Sequence, residues 1–192
     1  MTDLVCLIGR HGSGKTTIGT AMEQVGFQHI SLGLLKRFAR NGLYPSDIPL
    51  PLMLELKRQK SNSILPLSLA RKLVQWIQSF PKCVIDGFPA SPEHLPLLPE
   101  HTVIVYVYTP RIERERRLKI RSENSRRLWI PGGKSLREAA LPELVVACRR
   151  SFVTIFLKND DPAILTDRLL KKIDQSLWIQ PPHTTTTPVT RN

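Results

Sequence analysis

Three short, unbroken apolar runs punctuate the chain: Leu4–Ile8, Cys83–Ile85 and Val103–Tyr108. Runs of this length without polar alternation predict strands buried on both faces, as in a parallel sheet covered by helices. Between them, apolar residues recur at helical spacing. Ile18, Met22 and Val25 mark a first helix ending near Gly26, and a second is predicted from about Leu34 to Arg40, closed by Asn41-Gly42. Three prolines predict loop over Tyr44–Pro51, followed by a short helix at Met53–Lys60. Ser68 reads as the N-cap of a helix with Leu69, Leu73, Val74 and Ile77 on one face, and Pro81 separates it from the next strand.

After the third run, Pro110 opens a very basic helix. Ser122–Lys134, with Trp129, Pro131, Gly132 and Gly133, reads as a mobile loop. Val145, Cys148, Phe152 and Ile155 predict one long helix over about Pro142–Leu157, broken at Lys158–Pro162, and a closing helix is predicted over about Ala163–Leu177. The tail Pro181–Asn192 has too few apolar residues to order itself. The alternation predicts the α/β class: a three-layer α/β/α domain with a parallel sheet over residues 1–178, then a Thr/Pro-rich tail at 179–192.

Composition adds boundaries to this picture. A chain of 192 residues that is 41% hydrophobic suits one domain with a full core. No apolar run approaches the roughly 20 residues needed to span a bilayer, and the first apolar stretch belongs to a strand rather than a signal peptide. The three cysteines lie far apart without C-x-x-C spacing, and Cys6 and Cys83 fall in predicted strands. Buried thiols, no disulfide, no structural zinc and a cytoplasmic location are expected. The net charge of +12 favours anionic partners, and Arg111–Arg127 concentrates part of it.

The chemistry is carried first by the end of the first run. Gly9-Arg10-His11-Gly12-Ser13-Gly14-Lys15-Thr16-Thr17 matches G-x-x-x-x-G-K-[ST] between a strand and a helix. Such a loop turns successive backbone N–H groups toward an anion at a positive helix end. Gly9, Gly12 and Gly14 permit the dihedrals, with Ser13 and Thr17 in the same ATP-binding loop; Lys15 can reach β- and γ-phosphates, and Thr16 stands where a Mg²⁺ ligand is expected. His11 is expected to contribute its backbone. The second run ends in Ile85-Asp86-Gly87-Phe88-Pro89, placing Asp86 at the carboxyl end of a strand, where open α/β sheets bind ligands and where it can support Mg²⁺.

With these residues in view, the chain resembles the adenylate kinase family of nucleoside monophosphate kinases over about residues 1–175. The likeness rests on the glycine-rich loop, on His29–Arg37 against H-I-S-T-G-D-x-x-R, on Asp86-Gly87-Phe88-Pro89 against D-G-F-P-R, and on Arg117-x-x-x-Arg121. The resemblance implies an acceptor-binding segment over about residues 31–69 that moves, and a short arginine-rich lid over about 121–137. It implies that Lys15 neutralises ATP, that Arg117 packs on its adenine and that Arg121 grips phosphate. Ser31, Arg37, Leu65, Gly87 and His94 would bind the acceptor, with Arg37 on its phosphate. Arg149 or Arg150 is the preferred post-lid catalytic arginine; Arg126, Arg127 and Arg137 are further candidates. His29 is expected to pack or hydrogen-bond locally beside the acceptor site.

Several positions depart from the family. Leu32 and Leu34 replace threonine and aspartate, Ala90 replaces the arginine after D-G-F-P, and His94 stands where a glutamine reads the adenine edge. The lid has no cysteine cluster, so no zinc is expected there. The leading expectation is an ATP- and Mg²⁺-dependent kinase acting on a nucleoside monophosphate or a similar small phosphorylated acceptor. A catalytically weak nucleotide-binding regulatory module accounts for the departures, and a polynucleotide 5′-end kinase or RNA-binding ATPase accounts for the charge. Nucleic acid is the less favoured partner because basic and aromatic residues are not interleaved.

Overall fold

The computed structural model describes residues 3–60, 63–124, 136–159, 169, 171 and 172. In chain order the elements are β1 (Asp3–Ile8), α1 (Lys15–Glu23), β2 (Gln28–Ser31), α2 (Leu32–Arg40), α3 (Leu50–Arg58), α4 (Leu67–Ile77) and β3 (Lys82–Asp86). A 3₁₀ turn (Pro92–Leu97), β4 (Val103–Tyr108), α5 (Arg111–Asn124), α6 (Leu136–Ser151) and β5 (Val153–Lys158) follow. All five strands are parallel, in the order β2-β3-β1-β4-β5.

The unbroken apolar runs are the central strands, and alternate residues serve opposite layers. Leu4, Cys6 and Ile8 join one apolar cluster with Cys83, Ile85 and residues of α2, α3, α4 and α6. Val5 and Leu7 join a second with Val84, Val105, Ile18 and Met22. Because β1 lies between β3 and β4, the chain crosses to both sides of it, and the carboxyl ends of these strands frame a cleft. Register places Leu7 beside Asp86 and Asp86 beside Ser31, so β1, β3 and β2 end level at that edge.

Two strands and one helix boundary differ from the expectation. β2 is a four-residue edge strand in which only Ile30 is buried, too short for a periodic signal. The helix predicted over 142–157 ends at Ser151, and Val153–Lys158 is β5. Ile155 follows Cys148 at helical spacing, but Ile155 and Leu157 alternate inward on an edge strand, and the β-branched run Val153-Thr154-Ile155 prefers a pleated surface. Pro142 lies inside α6 rather than at its start. Smaller shifts have local causes: α3 starts at Leu50 because Pro51 fits a first helical turn, and α4 starts at Leu67 after Pro66. α2 starts two residues earlier, directly from Ser31.

The Ser122–Lys134 loop is described only through Asn124, where it is still helix α5. The closing helix at 163–177 falls almost wholly, and the tail at 179–192 wholly, outside the described residues. Cys6, Cys83 and Cys148 are free and buried; burial pushes Cys83 up to about 12 and Cys148 up to about 11, so neither is a ready nucleophile. Among the described residues no helix is long and apolar enough to cross a membrane.

Candidate active site

The loop after β1 takes its shape from glycine. Gly14 has φ 89°, and a Cβ there would lie 2.0 Å from Asn159 Nδ2. Gly9 has φ 145°, and a Cβ there would lie 2.2 Å from the Val107 carbonyl oxygen. Asn159, directly after β5, holds the loop from behind: its Nδ2 donates to Ser13 O at 2.8 Å and its backbone N–H to Tyr108 O at 2.8 Å. Thr109 Oγ1 also donates to Ser13 O, at 3.2 Å. Asn159 is fully buried, and no local pattern in the sequence announces its role.

Inside the loop, Lys15 Nζ donates to Gly9 O at 2.9 Å and Arg10 O at 2.8 Å. Burial lowers its pKa to about 8, with Asp86 pulling the other way, so it remains a cation at neutral pH. A phosphate would offer this ammonium stronger, charged acceptors than the two carbonyls. Thr16 Oγ1 donates to Asp86 Oδ2 at 2.9 Å, and His29 Nε2 lies 3.2 Å from the same oxygen. Burial alone would raise the Asp86 carboxyl, but the His29 and Thr16 hydrogen bonds and the Lys15 charge outweigh it and hold it below the ordinary carboxylate value.

The Thr16–Asp86 pair fits a divalent cation of the Mg²⁺ type. Both donors are hard oxygens, and they now share a proton that a cation would replace. Among the described residues no group of three or more His, Cys, Asp or Glu side chains is gathered to hold a metal. A cation at this pair would therefore take its remaining ligands from phosphate and water.

Two arginines of α5 flank the loop. Arg117 donates to Glu113 at 2.8 Å and to Asn159 O at 3.3 Å, with a guanidinium nitrogen 3.6 Å from where a Gly14 Cβ would be. Arg121 follows one turn later, and its charge bears on Lys15. The N-terminus of α6 closes the cleft. Arg137 donates to Gly87 O, and Glu138 accepts the His11 N–H at 2.8 Å while lying 3.8 Å from Arg114. Arg137 is the arginine that α6 delivers to the loop, since its charge bears on Lys15, Lys36, Asp86 and His94 alike.

Arg149 and Arg150 require correction. They lie in the last turn of α6, about 20 Å along the helix from Arg137 at 1.5 Å per residue. α6 runs opposite to the strands, so its end leads into the start of β5, away from the cleft. Both residues are exposed, and the Arg149 guanidinium lies 5.6 Å from the Phe156 ring on the outer strand. Sequence spacing alone could not decide which end of α6 faces the glycine-rich loop.

His94 and Leu65 also differ from expectation. The His94 ring is buried and stacked on Phe88 at 4.9 Å; Nδ1 accepts the Ala90 N–H at 3.2 Å and Nε2 donates to Leu65 O at 2.9 Å. Both nitrogens are engaged within the protein, leaving none to read a base. Leu65 is itself buried in the apolar cluster. Among the other acceptor-side residues, Ser31 starts α2 beside Asp86, Gly87 receives Arg137, and Arg37 flanks Gly33 on the partly exposed side of α2. Leu32 is fully buried, so its departure from threonine serves packing. Gly12 lies against α5, 2.9 Å from Arg114 Cγ if it carried a Cβ, while Thr17 is exposed in the first turn of α1. Arg126 and Arg127 lie outside the described residues.

Several solved structures with a similar fold are kinases. A ligand-free sugar kinase from Janibacter sp. is 18% identical over 94% of this chain and 99% of its own, with a TM-score of 0.58. Shikimate kinase from Acinetobacter baumannii, solved with shikimate, is 19% identical over 91% and 94%, with a TM-score of 0.56. A gluconokinase from Sinorhizobium meliloti is 14% identical over 90% and 92%, with a TM-score of 0.54. The fold is that of the P-loop kinases. No protein-family model matches the chain. At such identities the likeness carries the fold alone, and none of the three is named as an adenylate kinase.

Proposed function

We propose that this chain transfers the γ-phosphoryl group of ATP to a nucleoside monophosphate or a closely similar phosphate monoester. The observation that carries the reading is the union of a glycine-rich anion loop, Lys15 and the Thr16–Asp86 pair with an acceptor side built from cations. Among the described residues the carboxylates that bond the loop or its neighbouring strand end, Asp86 and Glu138, are engaged: Asp86 with Thr16 and His29, Glu138 with the His11 N–H. A hydroxyl acceptor would require one of them as a base, whereas a phosphate oxygen is already an anionic nucleophile.

In this mechanism the loop N–H groups and Lys15 hold the β- and γ-phosphates. Arg137, Arg121 and Arg117 supply positive charge around the moving group, and Arg37 holds the acceptor. An acceptor phosphate oxygen attacks the γ-phosphorus as the bond to the β–γ bridging oxygen breaks, and ADP leaves with that electron pair. Mg²⁺, held by Thr16 and Asp86, would neutralise charge on the phosphates. Positioning and fixed positive charge do the chemistry, and exclusion of water protects ATP from hydrolysis.

A second reading is a kinase for a small polyol or hydroxy acid, favoured by the names of the structural neighbours. ADP release measured with ATP and Mg²⁺ across ribo- and deoxyribonucleoside monophosphates, and across shikimate, gluconate and simple sugars, separates the two. Turnover with a monophosphate, lost in Lys15→Ala, is expected. Turnover with a polyol alone would replace the first reading by the second. ATP binding without turnover on any acceptor would overturn both and favour a regulatory nucleotide-binding module.

A further inference from the structure

The inward face of α2 carries Leu32, Leu35, Lys36 and Ala39, all buried. Three of these four belong in an apolar cluster; the fourth is a cation exposed by only 3%. Its ammonium donates to Ser63 O at 3.1 Å. No carboxylate among the described residues forms an ion pair with it; the charges that bear on it are Arg137 and Arg40, both positive. Arg40 is anchored one turn on, its Nε donating to the Lys36 carbonyl at 3.1 Å. Arg137 reaches in from α6 to Gly87 O, at the end of β3.

A leucine or methionine at position 36 would bury as much apolar surface without desolvating a charge. An ammonium here gives up most of its hydration for one carbonyl bond and faces two like charges. That arrangement becomes favourable when an anion enters, because the shielded Lys36 ammonium and Arg137 then gain a charged partner. The geometry points to Lys36 as an anion-binding residue of the acceptor site, which with Arg137 receives the phosphate of a phosphate-monoester acceptor between α2 and Gly87. The assignment rests on the proposed phosphotransfer reading and adds to it a residue that sets acceptor class. A neutral polyol has nothing to offer this corner, and a monocarboxylate offers only half the charge of a phosphate dianion.

The test is Lys36→Met in the full chain, which keeps the apolar stem and removes the ammonium. Calorimetry without ATP, titrating inorganic phosphate, nucleoside monophosphates and a monocarboxylate of similar size, reads binding directly. The expected result is phosphate and monophosphate binding by the unaltered protein, weakened at least about tenfold in K36M and partly restored in Lys36→Arg. The KM for the monophosphate rises in parallel, while that for ATP changes less than about twofold. Unchanged monophosphate binding in K36M, with only a lower Tm, would overturn the assignment and make Lys36 a tether for Ser63. If neither K36M nor Lys36→Gln folds while Lys36→Arg does, the charge serves the fold and the assignment also fails. Tighter binding of the carboxylate than of phosphate would overturn the acceptor class. Because binding is read without turnover, a protein that binds monophosphates through Lys36 yet transfers nothing would sink the phosphotransfer reading and leave the anion site standing.

Discussion

The ring of His29 occupies the space that a side chain on Gly19 would fill: a Cβ at Gly19 would lie 2.2 Å from His29 Nε2. The glycine lets α1 approach β2 closely enough for that same nitrogen to reach Asp86 at 3.2 Å. Gly19→Ala should push the ring away and release one of the two hydrogen bonds that orient the carboxylate. We expect a loss of about 1–3 kcal/mol in stability from overpacking, measured by urea denaturation. A raised Mg²⁺ requirement for turnover should accompany it. A variant with unchanged Mg²⁺ dependence would separate His29 from the cation site.

The ends of α6 should behave differently. Arg137→Met removes the guanidinium at Gly87 and is expected to lower kcat by about a hundredfold or more, the scale seen when a fixed donor to a developing anion is lost. Arg149→Ala and Arg150→Ala, at the far end, should leave kcat within about twofold. Steady-state kinetics on the three variants checks this, and equal losses would contradict the placement of α6.

Glu138 accepts an N–H of the glycine-rich loop, and its charge would oppose the triphosphate of the proposed reaction. Glu138→Gln keeps the shape and removes the charge. ATP affinity, measured by calorimetry, should rise roughly fivefold, the equivalent of about 1 kcal/mol for a partly shielded like-charge contact. Weaker ATP binding would show instead that the carboxylate organises the loop for its ligand.

Acid should destabilise the fold in two stages. Burial lowers the His94 pKa below its ordinary value, against a weaker opposing pull from its bond to Leu65 O. The folded protein therefore binds fewer protons than the unfolded chain there. The resulting stability is whole above the ordinary histidine value of about 6.5 and is lost as pH falls toward the folded value. Asp86 is depressed as well, so its contribution is present above the ordinary carboxylate value of about 4 and disappears below it. Urea midpoints between pH 8 and pH 3 should fall in both ranges, and His94→Gln should shrink the upper one without removing it, because burial and the Lys15 charge lower His11 to about 4 and its contribution is lost over the same range.

What could be read from the chain and what could not divide along physical lines. β1, β3 and β4 are buried on both faces, so their apolar runs were legible, and the loop residues Gly9–Thr17 are local to one turn. Asp86 was legible because a strand end places it without help from elsewhere. Edge strands β2 and β5 bury one face or less and imitate other patterns, which is why Phe152 and Ile155 read as helix. His94 looked available because nothing nearby in sequence reveals Leu65 O, 29 positions away, as its partner. Asn159 and Arg137 act through backbone carbonyls of distant segments, and a carbonyl has no sequence signature.

The clasp of Asn159 on Ser13 spans 146 positions of the chain. The glycine-rich loop is therefore made well before the contact that completes it. Its glycines and Lys15 leave the ribosome long before the residue that fills the space over Gly14, which follows the last of the five described strands. A contact of such sequence separation forms late in folding, after the sheet has closed around it. The grip on the glycine-rich loop thus reports on completion of the five-stranded sheet, and a nascent or shortened chain ending before β5 would carry the motif without the grip.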